Sequence, residues 1–134
     1  MELMIVIVII GILAGIAMPI FSRTIEATKA KEALAALQQI RTGERIYRVE
    51  ENDYWPVGSS ESVIATINNT LRTFLDTRSN RNWNYSVTAS SGTPDTFTAT
   101  ATRIGGGYNG KTIVFDQAGL DQANTTWPLP IPGQ

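Results

Sequence analysis

Neither cysteine nor histidine occurs anywhere in the 134 residues. Without thiols there are no disulfides, no thiol nucleophile and no c-type haem attachment, and without imidazole no Ser/His/Asp triad. The usual zinc sites disappear with both. A basic excess is missing as well: 11 Lys and Arg stand against 12 Asp and Glu, for a formal net charge of -1. Few counterions could be released from phosphate by such a chain, so no nucleic-acid partner is expected. Enzymatic activity and a cofactor are not expected either. The length fits a single head with nothing left over for a second.

A third absence is local. Leu3 to Phe21 contains no charged residue. As a helix it would run roughly 28 Å, close to the ~30 Å hydrocarbon core of a bilayer. A secretory signal peptide would need a basic region before the run and an Ala-x-Ala-like pattern after it, and both are missing. A plain membrane anchor accounts for the run but not for Glu2 at its edge. A carboxylate costs about 2.5–3.5 kcal/mol at a helix centre in the membrane and less near an interface. Glu2 is therefore either a solvated flank or a charge awaiting a positive partner. Gly11 and Gly15 have the G-x-x-x-G spacing that permits close helix approach. Pro19 cannot donate to the carbonyl of Gly15 and crowds it. The stretch from Gly11 to Pro19 is thus the place where a helix would kink or melt.

The string from Glu2 through Ile5, Val6, Ile7, Val8, Ile9, Ile10, Gly11 and Gly15 to Pro19 resembles the N-terminal helix of type IV pilins and pseudopilins. That resemblance covers about the first third of the chain. It implies a subunit held in the inner membrane and then moved by a pilus assembly machinery into an extracellular filament of identical subunits, most simply as the major subunit. In that family the glutamate matching Glu2 neutralises the N-terminal amine of a neighbour. The segment matching Gly11 to Pro19 is often unwound after assembly. Family members carry a short basic leader ending in glycine, then a methylated residue (typically phenylalanine) and three more before the glutamate. Here only Met1 precedes Glu2, so truncation is expected, and Met1 is not taken as the natural terminus.

Beyond Ser22 the pattern stays helical and becomes two-faced, with Ala30, Ala33, Leu34, Leu37, Ile40 and Tyr47 on one face. Glu44 and Arg48 are expected as an i,i+4 pair on a solvated face. The helix is expected to reach about Glu51. Residues 1–22 would form the filament-core half, and 23–134 the head together with the amphipathic half of the helix. Asn52 to Ser60 reads as a loop. A second helix, capped by Ser60 or Ser62, is expected over Val63–Asp76, with Phe74 and Leu75 on its apolar stripe. Three strands follow: Trp83 to Ala89, Thr96 to Thr102 and Lys111 to Asp116, the last two joined through Gly105–Gly110. The tail with Pro128, Pro130 and Pro132 is expected to be extended or irregular, held by packing through Trp127 or by an ion. The expected fold is α+β, a long N-terminal helix on a small antiparallel sheet, which again resembles the pilin fold.

Other chemistry is sparse. Gly105 to Thr112 matches a phosphate loop only superficially, since it leads into a strand where a helix N-terminus is needed. Asp116 and Asp121, with Asn124 and nearby carbonyls, form a calcium candidate, while aspartates capping turns would look the same. The resemblance leaves a pseudopilin of a type II secretion system as the alternative function; the major pseudopilins use calcium in this region, and their signature is not cleanly present here. A third reading is a membrane-anchored binding module. Sequons at Asn68, Asn84 and Asn124 and the threonine row from Thr96 to Thr102 are candidate glycan positions. Phe21 and Tyr47 lie on the first helix, and the other aromatic residues are expected in the core of the head.

Overall fold

The computed structural model describes residues 2–92 and 95–131 and, at Glu2, the backbone only. Its first element, α1, is an uninterrupted helix over Glu2–Glu51. By its internal contacts the chain divides into two compact units, Met1–Lys31 with Leu129–Gln134, and Glu32–Pro128. In the first unit the helix continues through Gly11, Gly15 and Pro19 without a break. Hydroxyls after the proline turn back on the helix: Ser22 Oγ donates to the Met18 carbonyl at 3.2 Å and Thr24 Oγ1 to that of Ile20 at 3.0 Å. Such bonds satisfy exposed carbonyls and favour bending.

In the second unit α1 contributes one buried face, Ala33, Leu34, Ala36, Leu37 and Ile40, packed against an antiparallel sheet. Asn52, in the left-handed region at φ 61°, ends the helix. The sheet has four strands in meander order: β1 (Ser60–Glu61), β2 (Trp83–Ser90), β3 (Thr96–Arg103) and β4 (Thr112–Asp116). Alternation governs the longer strands. Trp83, Tyr85, Val87 and Ala89 on β2 are buried, as are Phe97, Ala99 and Ala101 on β3, and the intervening polar side chains face outward. Register pairs Val87 with Ala99 and Ala101 with Ile113 across the buried face.

Two expectations need correcting here. The sheet gains a strand, because Ser60 and Glu61 pair with Thr88 and Val87 along the edge of β2. Two residues are too few to show alternation, so only their partner defines them. Ser60 is then part of β1 rather than a helix cap. The second helix, α2, is also shorter, Ile64–Leu71, and Val63 precedes it without a side-chain cap. Glu61 takes the local role by accepting from the backbone N–H groups of Ser62 and Val63, both at 2.7 Å. The expected stripe continued to Leu75, but the Asn68 carboxamide ends it. Its oxygen accepts from Leu75 N–H at 2.8 Å and Thr73 Oγ1 at 2.9 Å, while its nitrogen donates to the Leu75 carbonyl at 3.0 Å. Arg72, at φ 55°, makes the reversal.

Close backbone approach fixes α2 against α1. A Cβ at Gly43 would lie 2.5 Å from the Leu71 carbonyl oxygen, a backbone atom that cannot rotate away. Gly43→Ala should therefore destabilise the head by roughly 1–3 kcal/mol, despite alanine's better helix propensity. Thermal unfolding of the variant beside the parent checks this, and an unchanged or raised midpoint would contradict the packing.

The described tail is irregular, as expected, and is tied to the sheet. Phe115 and Leu120 form a bridge, and the N–H groups of Thr126 and Trp127 both reach the Thr112 carbonyl at 3.0 Å. The returning chain thus covers the free edge of β4. Trp127 is buried and lies 5.3 Å from Trp83 and 5.2 Å from Tyr108 between ring centroids. That packing is the expected anchor. Pro132 lies outside the described residues.

Candidate assembly surface

The apolar helix is the most unusual surface in the molecule. From Leu3 to Phe21 its side chains are exposed, among them Val6 (53%), Ile9 (51%), Met18 (72%) and Phe21 (67%). An 18-residue window there reaches a mean hydropathy of 2.9 with none of it buried, and α1 is long and apolar enough to cross a membrane. In water, large exposed apolar patches mark surfaces that another apolar phase must cover. No nearby atom would meet a Cβ at Gly11 or Gly15, so both positions are open. Glu2 occupies the first turn of α1. Glu2, Gly11, Gly15 and Pro19 thus share one element, in the order the sequence implies.

The calcium candidates behave differently. One oxygen of Asp116 accepts from Ala118 N–H at 2.7 Å and Gly119 N–H at 2.9 Å. Asp121 does the same for Ala123 and Asn124, and its second oxygen takes the Asn124 amide at 2.6 Å. These are aspartates closing turns. The carbonyls of Gln117 and Ala118 receive the Arg41 guanidinium at 2.9 and 2.8 Å, so a cation already occupies the place where carbonyl ligands were sought. Among the described residues no group of three or more acidic side chains could hold a metal ion.

Two sequons are also committed. Asn68 is consumed by the turn after α2, and the Asn84 side chain accepts from the Arg81 guanidinium. The aromatic residues largely fill the core, Tyr54 against Phe97 at 4.9 Å and Trp83 against Trp127. Phe74, at 91% exposure, is the exception within the head, and Phe21 on the apolar helix is exposed at 67%.

Glu44 corrects a further expectation. It does not sit on a solvated face with Arg48 but is wholly buried, accepting from Trp55 N–H at 2.9 Å. Its other oxygen has no hydrogen-bond partner. Burial pushes its pKa up from 4.5 to about 7, and the Trp55 bond opposes the shift only in part. Arg48 turns instead to Asp95 at 2.8 Å and the Tyr54 hydroxyl at 3.1 Å. The signal was present: Ala33, Leu37, Ile40 and Glu44 advance in steps of three and four along the inward face.

Against known proteins, the family described as type IV minor pilin ComP, DNA uptake sequence receptor, matches residues 19–111 of this chain. That span runs from Pro19 on α1 to Lys111, the residue before β4. Neither the curated proteins nor the solved structures contain a match to the chain.

Proposed function

We propose that this chain, which belongs to the family of the type IV minor pilin ComP, is built into a type IV pilus by burying residues 3–21 of α1 among the helices of neighbouring subunits. The observation that carries this is the exposed, uncharged helix itself. The chain is anchored in the membrane by that helix before assembly and is extracellular in the pilus afterwards. The helix motifs by themselves pointed to the major subunit of a homopolymer. Membership in a minor-pilin family favours a sparse component among other pilins. No observation favours the secretion pseudopilin.

Assembly in register needs Glu2 to meet a neighbour's N-terminal amine as both leave the membrane. A carboxylate paired in such a water-poor setting is worth far more than one in water. Glu2→Ala should remove the chain from sheared filaments while leaving its membrane level unchanged, as read by immunoblotting of the two fractions. Undiminished incorporation would sink the pairing.

Receptor function toward DNA is stated for ComP, and for this chain it is a second reading resting on the family match. Three of the head's cations are paired with carboxylates: Arg48 with Asp95, Arg72 with Glu50 at 3.4 Å, and Arg78 with Asp76 at 2.9 Å. Phosphates would have to compete with those carboxylates, so weak, strongly salt-dependent binding is expected. Fluorescence anisotropy with duplex DNA between about 50 and 200 mM salt reads it, and no binding at the lower value would remove this reading.

A further inference from the structure

The head carries a second apolar surface, separate from residues 3–21. A groove of about 430 Å³ runs between the outer face of α1 and the turn after α2. Ala35, Thr42 and Ile46 line it on the helix side, and Leu71 and Phe74 on the other. Ile46 is 45% exposed and Phe74 91%, and Val49, three residues past Ile46 on the same helix, is 87% exposed.

The position of Phe74 is set by the backbone rather than left to chance. Its N–H donates to Gln39 Oε1 at 3.3 Å, and its neighbours Thr73 and Leu75 are both tied to Asn68. Leu75 is buried while the larger Phe74 points out. A backbone held in this way needs no reordering for Phe74 to meet a partner, which lowers the cost of binding.

We infer that this groove is a docking site for the apolar N-terminal helix of a neighbouring pilin subunit, with Phe74 as the anchor. The inference rests on the filament reading above and adds the surface that receives the helix. Charge selects the occupant. Among the groove's lining residues Arg72 alone is charged, and it is drawn to Glu50 at the rim. A segment bearing charges would leave them unpaired there, whereas residues 3–21 carry none. The groove also runs alongside a helix, and an apolar helix lying in such a groove is an established mode of recognition.

The test uses the full chain in cells that make filaments. A benzophenone-bearing residue is placed at position 74, and after irradiation the adducts are identified by mass spectrometry. The expected adduct is a peptide from the apolar N-terminal helix of a pilin, either this one or another. An adduct on any other class of segment, or none from cells whose sheared filaments contain the chain, overturns the docking site while leaving the filament reading intact. Absence of the unmodified chain from filaments overturns that reading and this one with it. In parallel, Phe74→Ser should leave the melting temperature of the head unchanged and lower recovery in sheared filaments roughly tenfold or more, as loss of a central aromatic anchor does. Equal recovery would contradict the anchor.

Discussion

Replacing Trp127 with alanine will lower the melting midpoint of the head by roughly 15 °C or more, corresponding to about 3–5 kcal/mol. The size follows from what the indole touches. It lies between Trp83, which is wholly buried, and Tyr108 of the glycine-rich turn, so truncation opens a void at the end of the sheet. It also frees a tail that has no disulfide to hold it, since the chain has no cysteine. Trp127→Phe should cost far less. Phenylalanine keeps a ring in the stack and removes the indole N–H, which is buried without a hydrogen-bond partner. Differential scanning calorimetry of both variants in the same detergent checks the pair. Alanine and phenylalanine variants melting alike would show that the stack does not hold the tail.

Stability of the head will fall as pH rises from about 4.5 to about 7, by on the order of 3 kcal/mol, and Glu44 is the cause. The sign follows from its raised pKa. Below 4.5 the carboxyl is protonated in both folded and unfolded chains, so burial carries no charge penalty. As pH rises the unfolded chain ionises first and the folded chain resists, so the penalty grows until the folded group also ionises near 7 and is constant above that. The window is clean because the chain has no histidine. Asp76, held at about 2 by its hydrogen bonds to Arg78, titrates well below it. Glu44→Gln should flatten the profile and make the head more stable than the parent at pH 8. Glu44→Ala should instead destabilise it at every pH, by leaving the Trp55 N–H unpaired beside a cavity. Denaturant unfolding at pH 5 and pH 8 reads this, and a parent profile with no slope would contradict the buried, uncompensated carboxyl.

Much of the fold was legible because it is written in periodicity. α1 shows an unbroken apolar run and then a two-faced one, and β2 and β3 alternate residue by residue from Trp83 to Arg103. The misses lie where a single contact outweighs a pattern. Ser60 and Glu61 are a strand only because β2 offers them an edge. Asn68 stops α2 with three side-chain hydrogen bonds that reach past the helix, which no window average registers. Glu44 was assigned by its chemistry to the surface, although its spacing placed it inward. On the candidate surface, Gly11, Gly15 and Pro19 could be placed from sequence because they lie on one continuous helix. The exposure of Phe74 could not be read in this way, since its apolar character suggested core and only the turn after α2 puts it outside.

The central claim is that residues 3–21 place this chain within a type IV pilus. Mass spectrometry of filaments sheared from intact cells and purified away from membrane tests it most directly. The expected result is peptides of this chain in the filament fraction, at a low ratio to the most abundant pilin, and their loss when a charge is placed in the helix by Ile9→Asp. Filaments without the chain, or a chain whose recovery is indifferent to that charge, would contradict it.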